Sequence, residues 1–112
     1  MNSKALLDVL PKVQKYVHAI AVSKGWWENP PEDGTIIALM HSELSEALEA
    51  LRHGNPQSVK VPEVDHVSEE LADVVIRILD YAEQKQLPLA QAIVAKIEYN
   101  RTRQYKHGGK EF

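Results

Sequence analysis

The eleven residues from Ala72 to Ala82, ADVVIRILDYA, constrain the fold more than any other stretch of the chain. Wound into a helix, they carry apolar side chains on nearly every side. In a soluble protein such a helix has to be buried between several others. The flanking segments have the same helical period. Leu6, Leu7, Leu10, Val13, Val17 and Ile20 recur at steps of three and four, with Pro11 inside the stripe predicting a start or a kink there. A loop, GWWENPPEDG, follows. A second helix is predicted from about Asp33 to His53, with Ile36, Ile37, Met40, Leu44, Ala47, Leu48 and Leu51 inward. The connector GNPQSVKVP, Gly54 to Pro62, leads to a third helix from near Asp65 to Lys85, with Asp65 and Ser68 both offering N-cap chemistry. A fourth begins after Pro88, runs to about Tyr105 and ends at Gly108 and Gly109. No alternating strand pattern, internal repeat or low-complexity tract interrupts the series, which predicts an all-α bundle of four helices.

At 112 residues the chain is expected to form one domain, 1–112, with a surface that a partner can usefully cover. A formal net charge of −3 argues against a nucleic-acid binder. The absence of cysteine excludes disulfides, thiolate zinc sites and cysteine nucleophiles. No apolar run reaches membrane-spanning length, and the N-terminus lacks the pattern of a signal peptide. The expected location is the cytoplasm, with no membrane partner.

The second helix carries Glu43, Glu46 and Glu49 at three-residue spacing, and the third repeats that spacing with Glu70 and Asp73. Side chains three apart share a helix face, so each pair projects two carboxylates in one direction. The connector is long enough for an antiparallel pairing. Glu46 lies roughly 10 Å from the end of its helix and Glu70 roughly 7 Å into the next, so the pairs come level. Four facing carboxylates raise one another's pKa unless a cation intervenes, and all-oxygen ligation suits Mg²⁺ or Mn²⁺. Glu49 turns away from this level and is expected at the surface. A diiron centre needs Glu-x-x-His on two helices. The one such spacing here, Glu63 with His66, sits beside Pro62 at a helix start, so that reading fails.

On the fourth helix Lys96, Asn100, Arg103 and His107 share a face, with Lys106 and Lys110 behind. Cations suit a helix C-terminus for dipole reasons alone. Beside a metal-binding cluster they also suit a polyphosphate, which needs donors for the oxygens that the metal leaves uncovered. No glycine-rich phosphate loop of the Walker type is present.

With these residues in view, Glu43-Leu44-Ser45-Glu46, a gap of twenty-three residues and Glu70-Leu71-Ala72-Asp73 resemble the ExxE…ExxD arrangement of the MazG-like nucleotide pyrophosphohydrolases, in the all-α NTP pyrophosphatase superfamily. VVIRILDYA and KIEYNRTRQYKHGGK resemble that family's third helix and its C-terminal segment. The resemblance runs from about Gly25 to Lys110. It implies hydrolysis of nucleoside triphosphates to monophosphate and pyrophosphate with Mg²⁺, or Mn²⁺ as a substitute, in a homodimer or dimer of dimers. Glu43, Glu46, Glu70 and Asp73 become metal ligands and catalytic residues by this likeness, and Lys96, Asn100 and Arg103 phosphate contacts. Trp26 and Trp27 either stack on a base or anchor their loop to the core. His18 and His41 are expected in packing or surface roles, and Arg77 and Asp80 either pair with each other or reach the site. Two rivals are phosphoribosyl-ATP pyrophosphohydrolase chemistry and a non-catalytic helical adaptor that dimerises through its third helix.

Overall fold

A computed structural model of the chain describes residues 2–103. Four helices account for most of this span: α1 (Ser3–Ser23), α2 (Asp33–Arg52), α3 (His66–Gln84) and α4 (Leu89–Arg101). No strand occurs among the described residues, and the all-α expectation holds. Tyr105, Lys106, His107, Gly108, Gly109 and Lys110 lie outside them.

Local chemistry explains where the helices begin and end. Asn2 caps α1, its Oδ1 accepting from the Lys4 amide at 2.8 Å. That cap lets the helix form well before Pro11, so the expected start there is not observed. Pro11 removes one backbone donor and the helix runs through it. Gly25, at φ +84°, ends α1 in the left-handed conformation that glycine adopts at least cost. Trp26 then donates its amide to the Ala21 carbonyl, which turns the two tryptophans back toward the helices. Gly54, at φ +82°, closes α2 in the same way. Asp65 proves to be the N-cap of α3. It accepts from the Ser68 amide (2.9 Å) and hydroxyl (2.7 Å), and from Asn55 Nδ2 (3.0 Å). These donors, the Ser68 hydroxyl foremost, hold its carboxyl down to about 2.

Helix α3 packs against α2 on one side and α1 on another, and α4 packs on α1. The core is thin. Met40, Ala47, Ala50, Val74, Leu79, Ala82 and Ala90 form it, and among the described residues no large side chain is fully buried. Gln14, also buried, links α1 to α3 by donating to Glu83 Oε1 at 3.1 Å.

The inward face predicted for α2 divides in two. Met40 and Ala47 are buried and Ile36 is half-buried, whereas Ile37, Leu44, Leu48 and Leu51 remain 41–58% exposed. At about 100° per residue, Ile36, Met40, Glu43, Ala47 and Ala50 fall on one arc, and the exposed group centres roughly 90° from it. On α3, Leu71, Val75 and Ile76 are likewise about half exposed. One chain therefore leaves part of the apolar surface of α2 and α3 uncovered. No helix among the described residues is long and apolar enough to cross a membrane.

Candidate metal centre and adjoining cavity

The arc that buries Ala47 also carries Glu43 toward α3. There Glu43, Glu70 and Asp73 bring one carboxylate oxygen each to within 4.8 Å of one another. The levelling of the two acidic pairs across an α2–α3 hairpin is thus observed for three of the four residues. Glu46 lies about 80° round the helix from that arc and is exposed at the edge of the trio. It is still near enough for its carboxylate to raise that of Glu70. Glu49 is exposed and occupied locally, accepting from Arg52 Nη1 at 3.3 Å and lying 3.3 Å from His53 Nδ1.

Glu70 is the unusual member. It is only 6% exposed, and its Oε2 is buried with no hydrogen-bond partner among the described residues. Burial pushes its pKa up to about 7, the neighbouring carboxylates of Glu46 and Glu43 push the same way, and His66 opposes them. Asp73 is raised too, by burial first and then by Glu43 and Glu69, with Lys60 and Arg77 in opposition. Glu43 has a permanent counter-charge: Arg77 donates to its Oε1 from Nε (3.2 Å) and Nη2 (3.1 Å). That pairing, rather than one with Asp80, is the ion pair that Arg77 makes. An orphaned oxygen on a buried carboxylate grouped with two others is costly as it stands, and a hard divalent cation would satisfy it.

Glu43 and Asp73 also line a cavity of about 470 Å³. Its apolar wall includes Trp26, Trp27, Pro30, Ile36, Leu39 and Ile76, and its cations are Lys24, Lys60 and Arg77. The two tryptophans differ in role. Trp27 donates from Nε1 to Asp80 Oδ1 at 2.9 Å, and His18 donates from Nδ1 to the same oxygen at 2.7 Å. The His18 and Trp27 rings lie 5.9 Å apart. Trp27 thus anchors its loop to α3, while Trp26 stands 70% exposed at the cavity. His18 is half-buried in a packing role and His41 is exposed.

Lys96, Asn100 and Arg103 are exposed on or just beyond α4, which packs on α1, and none of them lines this cavity. Lys96 Nζ sits 4.6 Å from the centre of the Tyr99 ring, and the Arg103 guanidinium 5.5 Å from it. Among the described residues the cations that line the cavity with the carboxylates are therefore Lys24, Lys60 and Arg77. Sequence reasoning missed Lys24 and Lys60, which sit in loops without helical period to place them. It also missed His66 and Glu69 beside Glu70, although their spacing of four and one from Glu70 was a usable signal. Compared with known proteins, the chain matches no protein-family model, no curated protein and no solved structure.

Proposed function

We propose that this protein hydrolyses nucleoside or deoxynucleoside triphosphates to the monophosphate and pyrophosphate, using Mg²⁺ held by Glu43, Glu70 and Asp73. The observation that carries the reading is the buried Glu70 carboxylate, with one unpartnered oxygen, set between two other carboxylates beside a partly apolar cavity. The cavity volume falls within the range of small-molecule sites, about 300–1,000 Å³. Its composition suits a nucleotide: an exposed tryptophan face for a base, and lysines and an arginine for phosphate oxygens.

A divalent cation bound there supplies charge neutralisation, Lewis-acid polarisation of the phosphoryl oxygens and a lowered pKa for the attacking water. The remaining work falls to the chain. Lys24 and Lys60 hold the phosphates, and Trp26 covers the base. Arg77 fixes the Glu43 carboxylate through Oε1, and that carboxylate would hold the ion together with Glu70 and Asp73. Water attacks the α-phosphorus, the α–β anhydride bond breaks, and pyrophosphate leaves with the bond's electron pair. Glu46, exposed at the edge of the trio, is the carboxylate best placed to accept the water's proton. The same resemblance that suggests this chemistry suggests assembly as a homodimer or dimer of dimers. The half-exposed apolar residues of α2 and α3 supply a surface for it.

The deciding experiment is a pyrophosphate-release assay over the ordinary nucleoside triphosphates, with phosphoribosyl-ATP as a separate substrate, in Mg²⁺ and in Mn²⁺. Release from triphosphates that is abolished in Glu70→Gln supports the proposal. Activity confined to phosphoribosyl-ATP points to the sister reaction. No metal binding and no pyrophosphate release would leave the helical adaptor.

A further inference from the structure

We propose that Asp80 reads the base of the bound nucleotide, and that this cavity selects bases with an amino group at the outer edge, cytosine over uracil. The proposal rests on the nucleotide reading of the cavity, and the two arms of the test below let base preference and hydrolysis fail separately.

Helix α3 runs along the cavity as a ruler. Asp73, Arg77 and Asp80 follow at steps of four and three, share one face of the helix and all line the cavity. Seven residues make two turns, so Asp80 stands about 10 Å along the axis from Asp73. That span is comparable to a nucleotide measured from its α-phosphorus to the far edge of its base. With the α-phosphate at the carboxylate trio, the base edge comes level with Asp80. The wall there is apolar. Helix α1, whose His18 bonds to Asp80, contributes Val17 beside that histidine and Ala21 one turn beyond it, and Trp27 joins them from the loop.

Asp80 is half-buried, and its two oxygens differ. Oδ1 accepts from both His18 Nδ1 (2.7 Å) and Trp27 Nε1 (2.9 Å), which fixes the carboxylate from two elements. Oδ2 accepts from no group among the described residues. The only side-chain oxygen or nitrogen among them that is both buried and unpartnered is Glu70 Oε2, so Asp80 Oδ2 is open to water or a ligand. Arg77, one turn away on the same face, is already engaged by Glu43. A carboxylate oxygen can only accept, so it calls for a donor from the base. Cytosine presents an amino group at its outer edge where uracil presents a carbonyl. The amine gives a charge-assisted bond, while the carbonyl sets two acceptors against each other. The two rings are nearly equal in size, so this contact, rather than the shape of the cavity, separates them. Adenine carries an amine at the same edge and belongs to the same class.

The test uses the full chain in Mg²⁺. One arm measures pyrophosphate release from CTP and UTP. The other measures binding, by isothermal titration, of cytidine and uridine 5′-(α,β-imido)triphosphates, whose α–β bridge resists hydrolysis. Wild type should favour the cytosine member of each pair by roughly tenfold or more. Asp80→Asn keeps an oxygen for the His18 and Trp27 donors and presents an amide N–H where Oδ2 stood. It should abolish or reverse the preference, uracil gaining as cytosine loses, and circular dichroism checks that its fold is intact. Equal binding of the two analogues by wild type, or a preference for uracil, overturns the proposal whether or not the variant folds, and leaves hydrolysis to the release arm. An unchanged cytosine preference in folded Asp80→Asn also overturns it. Cytosine preference in binding, lost in Asp80→Asn, with no pyrophosphate released from either triphosphate supports the base reading and removes the hydrolytic one. No binding of either analogue overturns both.

Discussion

Replacing Glu70 by glutamine removes a buried carboxyl whose protonation the fold disturbs. In the metal-free protein its pKa rises from 4.5 to about 7. A folded-state pKa above the unfolded value means that the native state holds the proton more tightly. This contribution to stability is therefore complete below about pH 4.5 and is lost as pH rises through 7. At ~1.4 kcal/mol per pH unit, the loss amounts to ~3 kcal/mol, most of it between pH 5 and pH 8. For a domain of this size, that loss lowers the thermal midpoint by roughly 10 °C.

Glutamine cannot ionise, keeps the length of the side chain and can donate to the Glu43 and Glu46 carboxylates. Thermal melts in metal-free buffer at pH 5, 6, 7 and 8, at one protein concentration, should show a wild-type midpoint falling toward high pH by roughly 10 °C more than that of Glu70→Gln. The titrating groups outside the acidic cluster are common to both proteins, so the difference between the two curves reports Glu70 together with the carboxylates beside it. Adding Mg²⁺ at pH 8 should restore wild type by ~2.7 kcal/mol at a concentration of 100 times Kd, and the variant by much less. Parallel midpoint curves for the two proteins would refute the argument, because a buried carboxyl with a disturbed pKa cannot be removed without changing the pH slope.

Three further outcomes are expected. Leu44, Leu48 and Leu51 on α2 and Leu71, Val75 and Ile76 on α3 stand about half exposed and are the apolar surface a second copy would cover; sedimentation at micromolar concentration should show a dimer, and Leu48→Glu or Val75→Glu should yield monomer. Asp80→Ala leaves the Trp27 and His18 donors without their shared acceptor and should cost about 1–3 kcal/mol in denaturant melts, with a shift in tryptophan emission. Lys60→Ala should raise KM for triphosphate or lower kcat while Glu49→Gln leaves both near wild type, and Lys96→Ala should match the Glu49 control unless α4 of another copy reaches the cavity.

The fold was legible where periodicity and punctuation coincide. Gly25, Gly54, Asp65 and Pro88 sit at helix boundaries because each supplies a specific backbone conformation or cap, and such local chemistry needs no knowledge of the tertiary structure. Pro11 left a start and a kink both open, and the start is excluded because the Asn2 cap begins α1 eight residues upstream of it. The apolar pattern on α2 was harder to interpret. Periodicity shows that Ile37, Leu44, Leu48 and Leu51 share a face, but it cannot say whether the cover comes from the same chain. Small residues decided that question: Ala47 and Ala50 mark the side where α2 is buried, and the larger leucines lie off it.

The candidate site divides along the same line. Glu43, Glu70 and Asp73 meet because two regular helices joined by one connector have calculable heights, but the spacing of three alone was not sufficient, since Glu46 shares it with Glu43 and stands outside the trio. What regular geometry does not supply is the set of loop residues around them. Lys24 reaches the cavity from the turn after α1, and Lys60 from the connector that also holds Ser58 against Glu69. Their positions follow from backbone hydrogen bonds within those loops, and no periodic pattern encodes them. The basic residues of α4 show the converse. Lys96, Asn100 and Arg103 have the right spacing to form a stripe, yet α4 docks on α1 and carries them away from the trio of its own chain. Spacing along one helix fixes which side chains travel together, and only the packing of that helix determines what they meet. For the same reason the α2–α3 pairing bears most of the functional reading, and the contribution of α4 depends on whether a second copy brings it near.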